Sequence, residues 1–260
     1  MQFKAWIPNA LTLANLGCGA LAIHVVLTQG GHSGGWTVAG LMLVAMLCDF
    51  LDGFVARALK VSSPMGKELD SLADMVTFGL VPGFMMYTFI KLCIPGNLMA
   101  AFMGRGLQTL FEVPKFPSYL AYFAFIIPVL SAVRLAKFNN DTRQSDSFIG
   151  LPTPANAMFI CSLPLIANKH MNDFPVGDWL FNPWTYVVMS VVMSLLLVTE
   201  LPLIALKFKQ FGWKGNEIRY VFLGLCALLL AFLQVTAIPF IILLYILLSI
   251  VNNIFLKKKV

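Results

Sequence analysis

The chain has 260 residues, 59% of them hydrophobic, with only 18 basic and 12 acidic side chains. Soluble domains average about 25% charged residues, against 12% here, and residues 5–48 and 220–256 contain no Asp, Glu, Lys or Arg. Such runs are membrane spans rather than parts of a globular core, which excludes a soluble enzyme, a disordered tail and a nucleic-acid module.

Glycine, proline and charge divide the chain into about eight helical spans, expected near 7–28, 36–59, 70–92, 118–138, 152–168, 184–206, 219–236 and 239–256. The first two are separated by Gln29-Gly-Gly-His-Ser-Gly-Gly35, too flexible and polar to stay helical in lipid. Pro152, Pro154 and Pro164 crowd the fifth, and Pro239 is expected to split the last apolar run into two antiparallel helices. The expected fold class is an all-α, polytopic integral membrane helical bundle, a single transmembrane domain over 1–260.

Eight spans put both termini on one side of the membrane. If that side is the cytoplasm, it holds 14 of the 18 basic residues, leaving only Lys91, Arg105, Lys115 and Lys169 outside. That asymmetry argues for cytoplasmic termini and, in a bacterium, for the inner membrane. The cysteines (Cys18, Cys48, Cys93, Cys161, Cys226) lie singly in or at the ends of apolar segments and read as packing residues, not a disulfide or zinc framework. The net charge of +6 therefore reports topology rather than an anionic soluble partner.

Against this background four acids stand out. Asp49 and Asp52 are spaced i,i+3 in the second span, and Asp70 and Asp74 i,i+4 at the start of the third, so each pair shares a helix face. Gly53 and Ala56 continue the first face; Ala73 and Thr77 continue the second, with Gly66 one turn earlier. A short turn joins the two helices, which must then pack antiparallel with acids facing. Ionisable groups inside spans are costly and usually mark function. Converging carboxylates in a low dielectric need cations to balance them, and oxygen-only ligands favour Mg²⁺, Mn²⁺ or Ca²⁺ over zinc. Two such ions would make a clamp for phosphoryl transfer. Asp49 lies eight residues before Arg57, hence roughly 12 Å below the cytoplasmic end of its helix, a depth that lipid phosphates share.

Written as a string, residues 49–74 read D-x2-D-G-x2-A-R-x8-G-x3-D-x3-D. This resembles the signature of the CDP-alcohol phosphotransferase family at every defining position. The resemblance implies that Asp49, Asp52, Asp70 and Asp74 bind two divalent metals, Mg²⁺ or Mn²⁺, bridging the diphosphate of a CDP-linked lipid. It implies that Asp74 is also the general base for the acceptor hydroxyl. Gly53, Ala56 and Gly66 would make space for the nucleotide, and Arg57 and Ser63 would contact its phosphates or cytidine. The family's Asn-x-x-Thr pair is matched by Asn9 and Thr12, although Asn9 reads equally well as a helix N-cap. A homodimer is also implied.

Further on, Arg134-Leu-Ala-Lys137-Phe-Asn-Asn and Phe148-Ile-Gly-Leu-Pro-Thr-Pro-Ala-Asn156 resemble segments of the phosphatidylserine synthase branch, as does Asn15-Leu-Gly-Cys-Gly19. That branch implies CDP-diacylglycerol as donor and L-serine as acceptor. Arg134 and Lys137, i,i+3 at the cytoplasmic end of the fourth span, could hold the serine carboxylate or serve only as positive-inside anchors; Asp141 or a backbone carbonyl could receive the ammonium. Glycerol 3-phosphate or inositol phosphate acceptors within the same family, a membrane prenyltransferase and a cation-coupled transporter are the rival readings. The prenyltransferase lacks the D-G-x2-A-R spacing, and the transporter would place its acids near the midplane.

Overall fold

The computed structural model describes residues 2–61, 63–94, 117–140, 148–170, 173, 179–204, 212–213 and 216–253. Loop residues 95–116, Asp141, Arg143 and the basic residues Lys207, Lys209, Lys214 and Lys257 to Lys259 lie outside them. Helix α1 (Gln2–Ser33) and helix α2 (Gly35–Ala58) pack along their lengths. Gly30 breaks α1 with φ 75° and ψ 157°, inside the glycine-rich break expected there. The turn is tight: a Cβ on Gly34 would come 2.7 Å from Val25 Cγ1.

Helix α3 (Pro64–Asp74) begins earlier than the expected residue 70, because Ser63 is an N-cap whose Oγ accepts the Gly66 N–H at 3.0 Å, with Pro64 in the first turn. It runs without interruption into a π-helical segment, Met75–Leu80, and then helix α4 (Val81–Cys93). A 3₁₀ segment (Ser118–Phe125) opens helix α5 (Ile126–Asn140). Strand β1 (Phe148–Ile149) pairs antiparallel with strand β2 (Pro202–Leu203), Phe148 opposite Leu203; this small ladder is an exception to the all-α expectation. Between the strands lie helix α6 (Thr153–Lys169) and helix α7 (Pro183–Val198). Helix α6 continues past Pro164 despite the carbonyl that a mid-helix proline leaves unpaired.

Helix α8 (Glu217–Leu233), a 3₁₀ turn (Gln234–Thr236) and helix α9 (Ala237–Val251) follow. The last apolar run does divide, but at Gln234, whose φ is 53°, rather than at Pro239. Proline sits without penalty in the first turn of a helix, where its missing N–H has no intrahelical partner. The Phe222 and Tyr245 rings, on opposite sides of the break, lie 5.8 Å apart, as in a helical hairpin. Among the described residues, five helical stretches are long and apolar enough to cross a membrane: Trp6–Gly30, Gly35–Ala58, Pro64–Cys93, Ser118–Asn140 and Glu217–Val251. Pro183–Val198 is a shorter apolar helix. It stops at Thr199, short of the expected residue 206, where the chain turns extended into β2.

The distribution of polarity is inside-out. Large apolar side chains such as Phe50, Phe54 and Phe232 (82% exposed) cover the outside, while Asn15, Thr77 and Asn156 are fully enclosed. One apolar cluster joins α4, the 3₁₀ segment, α6 and α7, with Phe89 edge-on to Tyr186 at 4.8 Å. A second joins α1, α2, α4 and the π-helical segment through Val26, Val38, Phe78 and Met85, with Ala157 and Cys161 of α6.

The contact that sets the depth of α1 in the bundle is small and polar. Thr77 Oγ1 donates to the Asn15 carbonyl at 3.1 Å, and a Cβ on Gly19 would lie 3.0 Å from Thr77 Cα. Association of helices in lipid depends on such close approach of small residues. Gly19→Ala should therefore destabilise the bundle by about 1–3 kcal/mol, seen as a lower unfolding temperature in lipid nanodiscs; an unchanged temperature would show that the approach is not tight.

Candidate active site

Helices α2 and α3 deliver the four acids to one place. Carboxylate oxygens of Asp49, Asp70 and Asp74 lie within 4.8 Å of one another. Asp52, one turn along α2 from Asp49, stands beside this group: its Oδ2 accepts a 2.5 Å hydrogen bond from Thr12 Oγ1, a hydroxyl that also lies 3.1 Å from the Pro8 carbonyl. Asn15 Nδ2 donates to Asp74 Oδ1 at 3.3 Å. Helix α1 thus holds one acid of each pair through side chains one turn apart on its buried face. Asn9 belongs to the same face, inside α1 rather than at its end, so it does not act as an N-cap.

The donor set fits a hard divalent cation. It is all carboxylate oxygen, and among the described residues Asp70 Oδ1 is buried with no hydrogen-bond partner and no lysine or arginine is ion-paired with any of the four. Such a concentration of negative charge at low dielectric calls for a balancing cation, and Asp49, Asp70 and Asp74 are close enough together to hold one.

Alongside lies a cavity of about 240 Å³ lined by Pro8, Asn9, Thr12, Asp52, Gly53, Ala56, Val61, Ser63, Gly66, Lys67 and Asp70. It gathers every residue expected to meet the nucleotide except Arg57, which is exposed and lies beside Gly53, where a Cβ would be 3.9 Å from Nη2. The small residues matter for their size. A Cβ on Gly66 would lie 3.1 Å from Ser63 Oγ and 3.2 Å from Asn9 Oδ1, closing the cavity from the α3 side. Ser63 has two roles in one place, capping α3 and lining the wall.

Arg134 and Lys137 do not line this cavity, and they part company with each other. Lys137 is exposed on α5, as an interfacial anchor would be. Arg134 is only 8% exposed; its Nε donates to the Leu151 carbonyl at 3.0 Å and its guanidinium lies over the Phe138 ring at 5.2 Å. It is near enough to Asp74 for their charges to interact. A buried, oriented cation on the acid side of the bundle is no surface anchor. The same segment docks on α3: Lys67 Nζ donates to the Asn139 carbonyl at 2.9 Å, and Asn139 Nδ2 to Ser71 Oγ at 2.7 Å.

Sequence reasoning gave no hydrogen-bonding role to Asn15, Thr77 or Lys67. A signal for the first existed: Asn9, Thr12 and Asn15 recur every three residues in a span without charge, a polar stripe that lipid would not tolerate facing outward. Lys67, between Gly66 and the next acid, carried no such mark.

The fold and the site together define an integral membrane protein with an all-carboxylate centre beside a cavity walled by small residues. The chain belongs to the CDP-alcohol phosphatidyltransferase family, whose model matches residues 5–198. It is 32% identical over 212 residues to a CDP-diacylglycerol–serine O-phosphatidyltransferase of Bacillus subtilis, covering 82% of this chain and 94% of that protein. An enzyme of the same name from Helicobacter pylori is 28% identical over 256 residues, covering 97% and 93% of the two chains. The Saccharomyces cerevisiae enzyme of that name is 32% identical over 147 residues, covering 52% of this chain and 45% of its own.

Outer partners that orient metal-binding carboxylates typically contribute 10–100-fold in affinity. Thr12→Val and Asn15→Leu are each expected to weaken Mn²⁺ binding by about that factor, measured by the loss of the free-ion electron paramagnetic resonance signal on titration. Unaltered titrations would mean that α1 does not hold the acids in place.

Proposed function

We propose that this chain is a CDP-diacylglycerol–serine O-phosphatidyltransferase, which moves a phosphatidyl group from CDP-diacylglycerol to the hydroxyl of L-serine and releases CMP. The observation that carries this reading is the convergence of the acids of α2 and α3 beside a cavity walled by Gly53, Ala56 and Gly66. The names of its relatives support serine as the acceptor.

In this reading Asn9, Thr12, Gly53, Ala56, Ser63 and Gly66 accommodate the cytidine nucleotide, with Arg57 at the mouth for a phosphate. Asp49, Asp52, Asp70 and Asp74 hold two divalent ions, Mg²⁺ or Mn²⁺. When bound, such ions offset the charge of the diphosphate and of the departing CMP. Asp74, oriented by Asn15, accepts the proton of the serine hydroxyl as its oxygen bonds to the phosphorus that carries diacylglycerol. The bond from that phosphorus to the CMP oxygen breaks, and CMP leaves with the bond's electron pair. A carboxylate is a weak base for an alcohol, so proton transfer runs late, when the new bond has made the hydroxyl acidic. Arg134, desolvated and fixed by the Leu151 carbonyl, binds the serine carboxylate, with Lys137 nearer the surface on the same helix.

The same reading places eight spans in one transmembrane domain over 1–260, both termini and the active site at the cytoplasmic face, in the inner membrane if the source is bacterial, and two copies as a homodimer. The shorter helices α6 and α7 and the hairpin of α8 and α9 supply the spans beyond the four longer stretches up to Asn140. A site at that face meets a lipid donor from the bilayer and a soluble acceptor from the cytosol without moving either across the membrane.

Purified protein in mixed micelles with Mn²⁺ or Mg²⁺ should release CMP from CDP-diacylglycerol when L-serine is added and form phosphatidylserine. Release with glycerol 3-phosphate but not serine would overturn the acceptor assignment. Asp74→Asn is expected to lower kcat by at least about 10²-fold while CDP-diacylglycerol still raises the unfolding temperature. Full turnover in that variant would reject Asp74 as the base.

A further inference from the structure

An amino-acid acceptor needs more than a cation for its carboxylate. Its ammonium group must also be received, in a region from which water is excluded, by oxygens that lack other partners. The structure holds such oxygens. Among the described residues, Ser131 Oγ, Thr153 Oγ1 and Asn156 Oδ1 are enclosed acceptors that make no hydrogen bond, and the Asn156 Nδ2 donor is unpaired as well; the three residues are 0%, 1% and 0% exposed. Buried polar groups are ordinarily paired, and each exception calls for a reason.

Their placement is not scattered. Ser131 is one turn before Arg134 on α5, and Thr153 and Asn156 are one turn apart at the start of α6. The hydrogen bond from Arg134 Nε to the Leu151 carbonyl joins these two faces. Both helices pack against the π-helical segment that follows Asp74: a Cβ on Gly79 would lie 3.3 Å from Ser131 Cβ, and Ala157, next to Asn156, packs in one cluster with Phe78. The β1–β2 ladder, together with the hydrogen bonds from Gly150 N–H to the Leu201 carbonyl and from Leu151 N–H to the Leu196 carbonyl, fixes the loop that enters α6. The unpaired oxygens therefore belong to two helices that Arg134 links and that both pack against the π-helical segment.

We propose that Asn156, Thr153 and Ser131 form the ammonium-binding half of the acceptor site, receiving the α-amino group of L-serine while Arg134 holds its carboxylate. The inference rests on the serine reading of the preceding section and adds the residues that make the enzyme choose an amino acid over a plain hydroxy acid. Neutral oxygens suit this position: a further carboxylate beside Asp74 would compete for cations and for Arg134, whereas an amide and two hydroxyls bind an ammonium through their dipoles alone. They act on binding and specificity, not on the bond-making step.

The test uses the full-length protein with CDP-diacylglycerol and two acceptors, L-serine and 3-hydroxypropanoate, which lacks the amino group. Asn156→Leu should raise the KM for serine about ten-fold or more, the loss expected when a hydrogen bond to a charged group is removed. The KM for CDP-diacylglycerol should stay unchanged, and the preference for serine over 3-hydroxypropanoate should narrow. Asn156→Gln, which keeps a neutral amide oxygen, should recover part of the low serine KM. Thr153→Val, nearly the same shape without the hydroxyl, gives the same readout if Asn156→Leu loses the thermal stabilisation by CDP-diacylglycerol that reports an intact fold. Unchanged serine KM and unchanged preference in a folded variant would overturn the ammonium assignment. Absence of serine-dependent CMP release in the unmodified protein would instead overturn the serine reading itself.

Discussion

Three carboxylates held within one ion's reach, in a scaffold whose outer surface is apolar, are the constraint from which the rest of the architecture follows. Mutual repulsion would drive Asp49, Asp70 and Asp74 apart unless the helices carrying them were tied from a third side. Helix α1 supplies that tie through Thr12 on Asp52 and Asn15 on Asp74, and it is itself held at the right depth by the Thr77 hydroxyl and the close approach at Gly19. The bonds that organise the centre are thus also the bonds that assemble the first three helices. In lipid, where apolar burial between helices gives little net driving force, this sharing is economical.

Much of the centre could be read from residue spacing alone. The i,i+3 and i,i+4 acids, and the glycines and alanine on the same faces, leave few arrangements for two helices joined by a short turn. A family pattern also drew attention to Asn9 and Thr12, and both line the cavity beside the acids. What the string of residues did not disclose is which polar groups pair. Asn15, part of an apolar-looking segment, turned out to orient an acid, and Arg134 and Lys137, equivalent by charge and spacing, ended with opposite fates, one buried and one exposed. Pairing is a property of three-dimensional proximity that spacing along one helix cannot encode.

The span boundaries tell a similar story. Where local chemistry was decisive, as at the glycine-rich break containing Gly30, the expected and observed breaks coincide. Where two signals competed, the more visible one misled. Pro239 looked like the divider of the last apolar run, yet a proline in a first helical turn costs nothing, and the backbone turns instead at Gln234. Ser63-Pro64 started the third helix a turn and a half ahead of its first apolar stretch, because a capping hydroxyl satisfies an N–H that hydropathy does not register.

The π-helical segment Met75–Leu80 divides the span Pro64–Cys93 into two registers. Upstream, α3 packs against α1 while Asp70 and Asp74 reach Asp49 of α2; downstream, the face of α4 is set by Val81, Met85 and Phe89 against the apolar core. An α-helix turns about 100° per residue, which would leave Asp74 and Val81, seven residues apart, on nearly one face. The wider i→i+5 turns between them rotate the face of α4 relative to that of α3. Catalytic and packing surfaces on the same rod can consequently vary without dragging each other around its axis, and a one-residue deletion in this stretch is a far larger change than any substitution there.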